Sequence, residues 1–322
     1  MKGKTCLVYG DDGFDLCTLY SVLDFYKSLG FKVFFSNNVQ PANLIVVVRT
    51  YNREMNCKNI AYDAIHIYDY VGSEFDKFLK TIDLEKLTIF CPSDERKKYL
   101  MDNYRLPNDI IKIALAPVST TFYAKKLRPD SKYNIVHVGN HKPYYADGTD
   151  LWAERFLNFL NNEHVDMWGV GWKLKSNSKS VLHGKVNFFG VRNIYAASRV
   201  ALGMMYPFQR DVSISCRFWE APLNGCVLIS EPSLYSKTFP GIIETDYSET
   251  SIKSIIQSLP NRTDVQKQAI EFWDRESSKT KELVLQSFGK INFTKSGLLK
   301  HPFAFFGNYV VNSIRKVFHR LR

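Results

Sequence analysis

The sequence has 322 residues, of which 45% are hydrophobic and 23% charged, so it can bury a core and is not a disordered chain. The aromatic content of 14% and the six cysteines exclude collagen-like, coiled-coil and disulfide-scaffold classes. The length predicts two domains, and the net charge of +11 predicts an anionic partner: a nucleotide, a phospholipid surface or a nucleic acid.

The cysteines are scattered and form no Cys-x-x-Cys pair, which predicts reduced core residues. The apolar run at residues 6–10 is too short for a signal peptide, and no run of 18 apolar residues occurs. We therefore expect a cytoplasmic protein.

The first half alternates strand and helix patterns. Residues 6–9 predict a strand, residues 15–29 an amphipathic helix and residues 31–35 a second strand. Further apolar runs lie at residues 44–48, 64–68, 87–91 and 110–115. This alternation predicts a parallel sheet covered on both faces.

The second half repeats the pattern after a Pro-, Ser- and Lys-rich stretch at residues 117–133. Strands are expected at 134–138, 165–168, 186–189, 199–205 and 226–229, and helices at 150–161, 192–198, 215–224 and within 248–288. We predict an α/β fold of two Rossmann-like domains: an N-terminal acceptor domain (1–130), a donor domain (131–288) and a basic amphipathic tail (289–322).

Two turns follow strands of the second half. Trp168-Gly-Val-Gly-Trp172 lacks the third glycine of a dinucleotide fingerprint and predicts a tight turn. Gly139, Asn140 and Lys142 follow the first strand, where a glycine permits close backbone approach and Lys142 can meet a phosphate; an ordinary surface turn is the alternative. Ligands of open α/β sheets bind beyond such strand ends, which makes Gly171 and Trp172 candidates too.

The most informative segment runs from Asp211 to Ile229. A helix beginning at Ser213 or Ser215 would present free amides to a phosphate, and Arg217 adds a bidentate cation. Glu220 lies one turn later and can accept ribose hydroxyls, although an Arg/Glu salt bridge on a helix is equally ordinary.

The pattern Ser-x-Arg-x-x-Glu-x-x-x-x-Gly before an apolar strand resembles the donor-binding segment of GT-B glycosyltransferases, particularly family 4-like and CgeB-type proteins. Residues 113–122, 136–140 and 191–200 resemble flanking segments of the same enzymes. The resemblance implies two facing domains, with Glu220 holding the nucleotide ribose and Ser215 and Arg217 near the donor phosphates.

The sequence departs from the family at one catalytic position. Family 4 members usually carry a glutamate eight positions before the second carboxylate, where this chain has Val212, with Asp211 beside it. This leaves the stereochemical outcome open and suggests an alternative, a catalytically inactive nucleotide-sugar-binding protein. No Asp-x-Asp occurs, so we expect no metal and no cofactor beyond the donor substrate.

Candidate bases lie after the first strand, where Asp11 and Asp12 are expected to face the cleft; a turn with a helix N-cap is the alternative. His66 and His141 are weaker candidates, and His66 fits a core position better.

The tail carries seven basic residues after Glu282 and no acidic one. Phe306, Val310, Ile314, Val317 and Leu321 form one face at helical spacing, which fits either packing on the first domain or binding to an anionic membrane through residues 300–322. We expect a glycosyltransferase that uses a nucleotide-diphosphate sugar and a glycan or lipid-linked acceptor in surface polysaccharide or lipopolysaccharide synthesis. Nucleic-acid binding is another hypothesis for the positive charge, but no nucleic-acid motif supports it.

Overall fold

A computed structural model describes residues 3–10, 16–36, 38–48, 56–68, 75–123, 126–127, 131–141, 150–205, 210 and 214–288, with backbone alone at 10, 16, 17, 122 and 188. Four predicted site residues, Asp11, Asp12, Lys142 and Asp211, lie outside these ranges, as does the tail from residue 289. Within the described ranges, no helix has the length and hydropathy needed to cross a membrane.

The first half forms one sheet of six parallel strands in the order β2-β1-β3-β4-β5-β6. Its strands are β1 (Thr5–Gly10), β2 (Lys32–Ser36), β3 (Ala42–Val48), β4 (Tyr62–Tyr68), β5 (Leu87–Cys91) and β6 (Ile111–Ile113). Its helices are α1 (Leu16–Ser28), α2 (Phe75–Leu79) and α3 (Asp94–Tyr104). Strand β3 is buried along its whole length, as a central strand covered on both faces requires.

The second half forms another parallel sheet, in the order β12-β11-β10-β7-β8-β9. Its strands are β7 (Tyr133–Val138), β8 (Asp166–Trp168), β9 (Val181–Leu182), β10 (Ser198–Leu202), β11 (Val227–Ser230) and β12 (Ile242–Glu244). The chain order reverses between β7 and β10, so the carboxyl ends of these two neighbours frame a topological switch point. The predicted pair of Rossmann-like sheets is confirmed.

The linker between the two sheets runs from β6 to β7 (residues 114–132). The helices from the linker onward are α4 (Thr120–Tyr123), α5 (Leu151–Asn162), α6 (Phe188–Ala196), α7 (Arg217–Leu223), α8 (Glu249–Gln257) and α9 (Arg262–Phe288). The strand predicted at residues 186–189 is wrong, because helix α6 begins there. Asn187 caps it by accepting a hydrogen bond from the Gly190 amide at 2.8 Å, a local signal that outweighs the apolar pair Phe188-Phe189.

Helix α9 connects the two halves of the molecule. Its first part packs Val265 and Trp273 into the cores of the second sheet, whereas Val284 and Phe288 at its far end are buried in the core of the first. Between these contacts, the Thr280 hydroxyl donates to the carbonyl of Leu115 in the linker at 2.9 Å. The linker and α9 therefore lie side by side where the two sheets meet.

Candidate functional site

The Arg217 guanidinium spans the switch point of the second sheet. Its Nε donates to the carbonyl of Val138 at the end of β7, at 3.0 Å, and its Nη1 donates to the carbonyl of Met204 just after β10, at 3.1 Å. One planar cation therefore fixes the spacing of the two strand ends between which an open α/β sheet binds its ligand.

Gly139 follows β7 directly beneath this guanidinium. A Cβ atom at position 139 would overlap Arg217 Nη2 and would lie 3.1 Å from Nε2 of His137. The backbone of Gly139 is fixed on its other side, because its amide donates to the Trp168 carbonyl at 2.9 Å. The glycine is thus required by a close approach between backbone and arginine.

His137 is a fully buried histidine next to the same cation. Burial and, to a smaller extent, the positive charge of Arg217 lower its pKa to about 3, although its hydrogen bond with the Leu202 backbone acts in the opposite direction. Its Nδ1 is 2.9 Å from the Leu202 carbonyl, so a neutral ring donates there, and Nε2 has no partner among the described residues. The ring is therefore an uncharged structural neighbour of Arg217 and is unsuited to act as a base at neutral pH.

The two turns predicted as donor-binding meet at the carboxyl ends of β7 and β8. The Trp172 indole donates to the Gly139 carbonyl at 2.6 Å, and the Asn140 side chain accepts from the Val170 amide at 3.0 Å. Gly171 has a positive φ of 83° and lies against His141. Trp172 is only 8% exposed, so it supports the turn from within the core.

Helix α7 starts later than the sequence predicts. Its first residue is Arg217, and its N-cap is Cys216, which makes no side-chain capping hydrogen bond; a start at Ser215 is therefore wrong. The Ser215 carbonyl instead accepts from the Phe218 amide at 2.9 Å in the turn before the helix.

Glu220 is buried on α7, with 5% of its surface exposed. Burial raises the pKa of nearby Tyr195 well above its usual value, with Arg217 opposing this shift and Glu220 reinforcing it. Arg217 and Glu220 therefore lie one helical turn apart on α7, and both charges act on the Tyr195 phenol.

A second polar cluster near the same strand ends is absent from the sequence predictions. Glu231 follows β11, is fully buried, and accepts hydrogen bonds from the Met205 amide (2.7 Å), Arg210 Nε (3.1 Å), the Ser230 hydroxyl (3.0 Å) and the Tyr247 hydroxyl (2.9 Å). Arg210 also forms a bidentate pair with Asp150, the N-cap of α5, at 3.0 and 2.5 Å. Only the tertiary fold assembles this cluster.

The other candidates have varied outcomes. His66 is a core residue as predicted: it is fully buried, and its Nδ1 lies 2.8 Å from the Tyr26 hydroxyl. Burial and the charge of Lys173 lower the pKa of His141. Asp11, Asp12, Lys142 and Asp211 lie outside the described residues. Across the described ranges, no group of three His, Cys, Asp or Glu side chains could hold a metal ion.

Comparison with known proteins gives a family match for one segment of the chain and structural matches for the fold. Residues 149–265, which include α7, match the model of a family described as glycosyl transferase-like. No curated protein matches the chain. Among solved structures, AviGT4, a glycosyltransferase involved in avilamycin A biosynthesis, is similar with a TM-score of 0.61 and 10% identity over 89% of this chain and 98% of its own.

Two more structures share this architecture. An α-glucosyltransferase in complex with UDP and a 13-mer DNA has a TM-score of 0.61 and 11% identity over 89% of this chain and 99% of its own. WaaG, a glycosyltransferase involved in lipopolysaccharide biosynthesis, has a TM-score of 0.52 and 11% identity over 87% of this chain and 99% of its own. The chain has the GT-B glycosyltransferase fold, and the predicted resemblance is confirmed at that level; the CgeB-type assignment stays a prediction.

Proposed function

We propose that this chain, with its GT-B fold, transfers a sugar from a nucleotide-diphosphate sugar to a hydroxyl group of a glycan or lipid-linked acceptor. The nucleotide diphosphate lies at the switch point of the second sheet, before Arg217 and the amide end of α7. Glu220 holds the ribose, and the turns containing Gly139, Asn140, Lys142, Gly171 and Trp172 border the donor.

The observation that carries this proposal is the bridge made by Arg217. A guanidinium bonded to the ends of both strands at the switch point places a fixed positive charge where such sheets bind anionic ligands. The match of residues 149–265 to a glycosyl transferase-like family supports a sugar nucleotide as the ligand.

The chemistry needs charge stabilisation and a proton acceptor. As the bond from sugar to diphosphate breaks, negative charge develops on the leaving oxygen, and Arg217 and helix amides stabilise it in a metal-independent reaction. Asp11, Asp12 and Asp211 are the candidate carboxylates for accepting the acceptor hydroxyl proton or for stabilising the sugar. Val212, at the position of the usual family glutamate, leaves retention or inversion open.

A panel of uridine, guanosine and cytidine diphosphate sugars tests donor binding by thermal shift. A ligand that binds only the folded state raises the melting temperature, and we expect one base to give the largest shift. Released diphosphate then reports turnover. Failure of all three donors to shift the protein would contradict the proposal.

An inactive nucleotide-sugar-binding protein is the second candidate, favoured by Val212. It predicts the same thermal shift without accelerated donor hydrolysis or transfer. Val212→Glu restores the usual carboxylate, and its rate of donor hydrolysis separates the two candidates. If the natural chain hydrolyses no donor and Val212→Glu does, the result supports the inactive protein. Donor hydrolysis by the natural chain supports the enzyme.

The proposed acceptor and cellular location rest on other observations. The likeness to WaaG supports surface polysaccharide or lipopolysaccharide synthesis, and the basic amphipathic sequence of residues 300–322 supports peripheral binding to an anionic membrane from the cytoplasm. Deletion after Lys300 is expected to release the protein from vesicles containing anionic phospholipid. Undiminished vesicle binding, or preferential retention of the full chain by an oligonucleotide, would contradict this part of the proposal.

A further inference from the structure

We propose that Glu231 and Tyr247 are positioning residues for the donor site and act through the backbone of residues 203–205 and through Arg217. This inference rests on the proposed function, because it concerns how the same donor site is held in shape. In this proposal neither residue contacts the donor.

Three consecutive residues after β10 are each held by a side chain. The Gly203 carbonyl accepts from the Tyr247 hydroxyl, the Met204 carbonyl accepts from Arg217 Nη1 at 3.1 Å, and the Met205 amide donates to Glu231 at 2.7 Å. The Met204 carbonyl and the Met205 amide belong to one planar peptide group, so Glu231 holds the same group whose carbonyl orients Arg217, and Tyr247 holds the peptide group before it. Movement of either peptide group moves the Met204 carbonyl with it.

The cluster that holds this backbone is itself tightly constrained. Glu231 Oε2 joins the two residues, because it accepts from the Tyr247 hydroxyl at 2.9 Å. Tyr247 has a φ of +58°, a left-handed conformation that a bulky aromatic residue adopts only when its surroundings enforce it. Its ring packs edge-on against Phe156 at 5.2 Å, and Phe156 packs against His137 beside Arg217.

Arg210 extends the cluster to helix α5. Its guanidinium pairs with Glu231 and with Asp150, and the Asp150 side chain accepts from the Trp152 amide at 3.1 Å. The negative charge of Asp150 at the start of α5 disfavours binding of a diphosphate there. Arg210 offsets the charge of Asp150. Among the described residues, Arg217 is the cation bonded to both strand ends at this switch point, and its orientation depends on residues 203–205.

The decisive test compares two tyrosine hydroxyls. Tyr247→Phe removes the hydroxyl bonded to Gly203 and Glu231, and Tyr26→Phe removes a buried hydroxyl bonded to His66 and Tyr68 in the first half of the molecule. Both variants are expected to lower the melting temperature. By titration calorimetry with UDP, GDP and CDP below both melting temperatures, Tyr247→Phe should weaken binding of the preferred diphosphate by about fivefold to thirtyfold, the range for one buried hydrogen bond or two. Tyr26→Phe should stay within about twofold of the natural chain.

A second variant, Glu231→Gln, removes the charge at nearly constant shape. A merely structural defect reduces the fraction of folded protein, and so lowers apparent kcat while leaving the donor KM unchanged. A positioning role raises the donor KM in parallel with the nucleotide Kd. We expect that rise for Glu231→Gln and a smaller one for Glu231→Asp, which keeps the charge.

The outcomes separate the two levels of inference. If the natural chain binds a nucleotide diphosphate and Tyr247→Phe binds it equally tightly, the positioning role is overturned and the proposed function stands. If Tyr26→Phe weakens binding as much as Tyr247→Phe, the effect is general destabilisation and the positioning role is again overturned. If the natural chain binds no nucleotide diphosphate, both inferences are overturned.

Discussion

Arg217 is the central residue of the proposed donor site, because its bonds to Val138 and Met204 use the fork geometry of a guanidinium. Arg217→Lys keeps the charge but cannot span both carbonyls. We expect Arg217→Ala and Glu220→Ala each to weaken nucleotide affinity by about 1–3 kcal/mol, the range for losing a charge-assisted hydrogen bond. The loss of affinity in Arg217→Lys should be close to that in Arg217→Ala.

Titration calorimetry measures these changes, and exposed Arg199 on β10 provides the matched control. Among the described residues its Nη1 donates to the exposed side-chain oxygen of Asn134, at 3.3 Å, so Arg199→Ala should leave the nucleotide Kd unchanged. Full affinity in Arg217→Ala would remove this residue from the donor site.

Gly139→Ala tests the close contact beneath the guanidinium. The added Cβ overlaps Arg217 Nη2, so the arginine must move and lose its carbonyl partners; we expect a loss of about 1–3 kcal/mol in unfolding free energy, typical of overpacking. In an Arg217→Ala background the overlapping guanidinium is gone, and Gly139→Ala should lower the unfolding free energy much less. Urea denaturation of the four proteins completes this double-mutant cycle. Equal costs in both backgrounds would contradict the proposed contact.

The two polar clusters of the site differ in how far the sequence reveals them. Arg217 and Glu220 could be predicted because their spacing is local and a strand follows at a fixed distance. Glu231 and Tyr247 could not, since the partners of the Tyr247 hydroxyl are 16 and 44 positions away, and Ser230-Glu231-Pro232 has the composition of a loop. Long-range hydrogen bonds leave no periodic signal in a sequence.

At the scale of elements, apolar runs predicted the six strands of the first sheet and four of the second, because buried parallel strands are nearly continuous in Val, Ile and Leu. The short edge strands β9 and β12 were not predicted. The starts of two helices were also predicted wrongly. Helix α6 begins after its cap, Asn187, in a stretch with strand-like composition, and α7 begins two residues after Ser215. Short elements with few apolar positions are the ones that periodicity cannot assign.

Asn187 is consequently expected to determine where α6 begins. Asn187→Ala removes the hydrogen bond to the Gly190 amide and should lower the unfolding free energy by about 1 kcal/mol, the usual cost of losing an N-cap. Asn103→Ala serves as the control, because the Asn103 side chain donates to the Tyr99 carbonyl on an exposed face and caps no amide. Urea denaturation followed by circular dichroism measures both, and an equal loss in the two variants would contradict the capping role.

At the scale of the whole molecule, helix α9 makes the two sheets interdependent. The sequence predicted a helical segment there, but it could not predict that the far end returns to the first core. At that end the Phe288 ring stacks on His66 at 5.3 Å, and the Ser287 hydroxyl lies 3.2 Å from His66 Nε2. A histidine from β4 and the last turn of α9 thus share one buried contact.

This contact predicts how stability depends on pH. Burial lowers the pKa of His66 to about 3 from a usual 6.5, so between these values the unfolded chain binds a proton that the folded chain does not. Stability is therefore fully present above pH 6.5 and is lost as the pH falls toward 3, by about 1.4 kcal/mol per pH unit for each such histidine. Buried His137 adds a second contribution of the same sign.

Replacing the histidine tests the argument between pH 7.5 and 5, above the range in which most carboxylates titrate. His66→Gln should be less stable than the natural chain at pH 7.5 yet lose less stability on acidification, because the titrating group is gone while a polar side chain remains for Tyr26 and Ser287. Exposed His164 offers a control for the substitution itself, as the matched variant His164→Gln. Urea denaturation at several pH values, followed by far-ultraviolet circular dichroism, measures the slopes. An unchanged slope in His66→Gln would show that the end of α9 does not keep this histidine neutral.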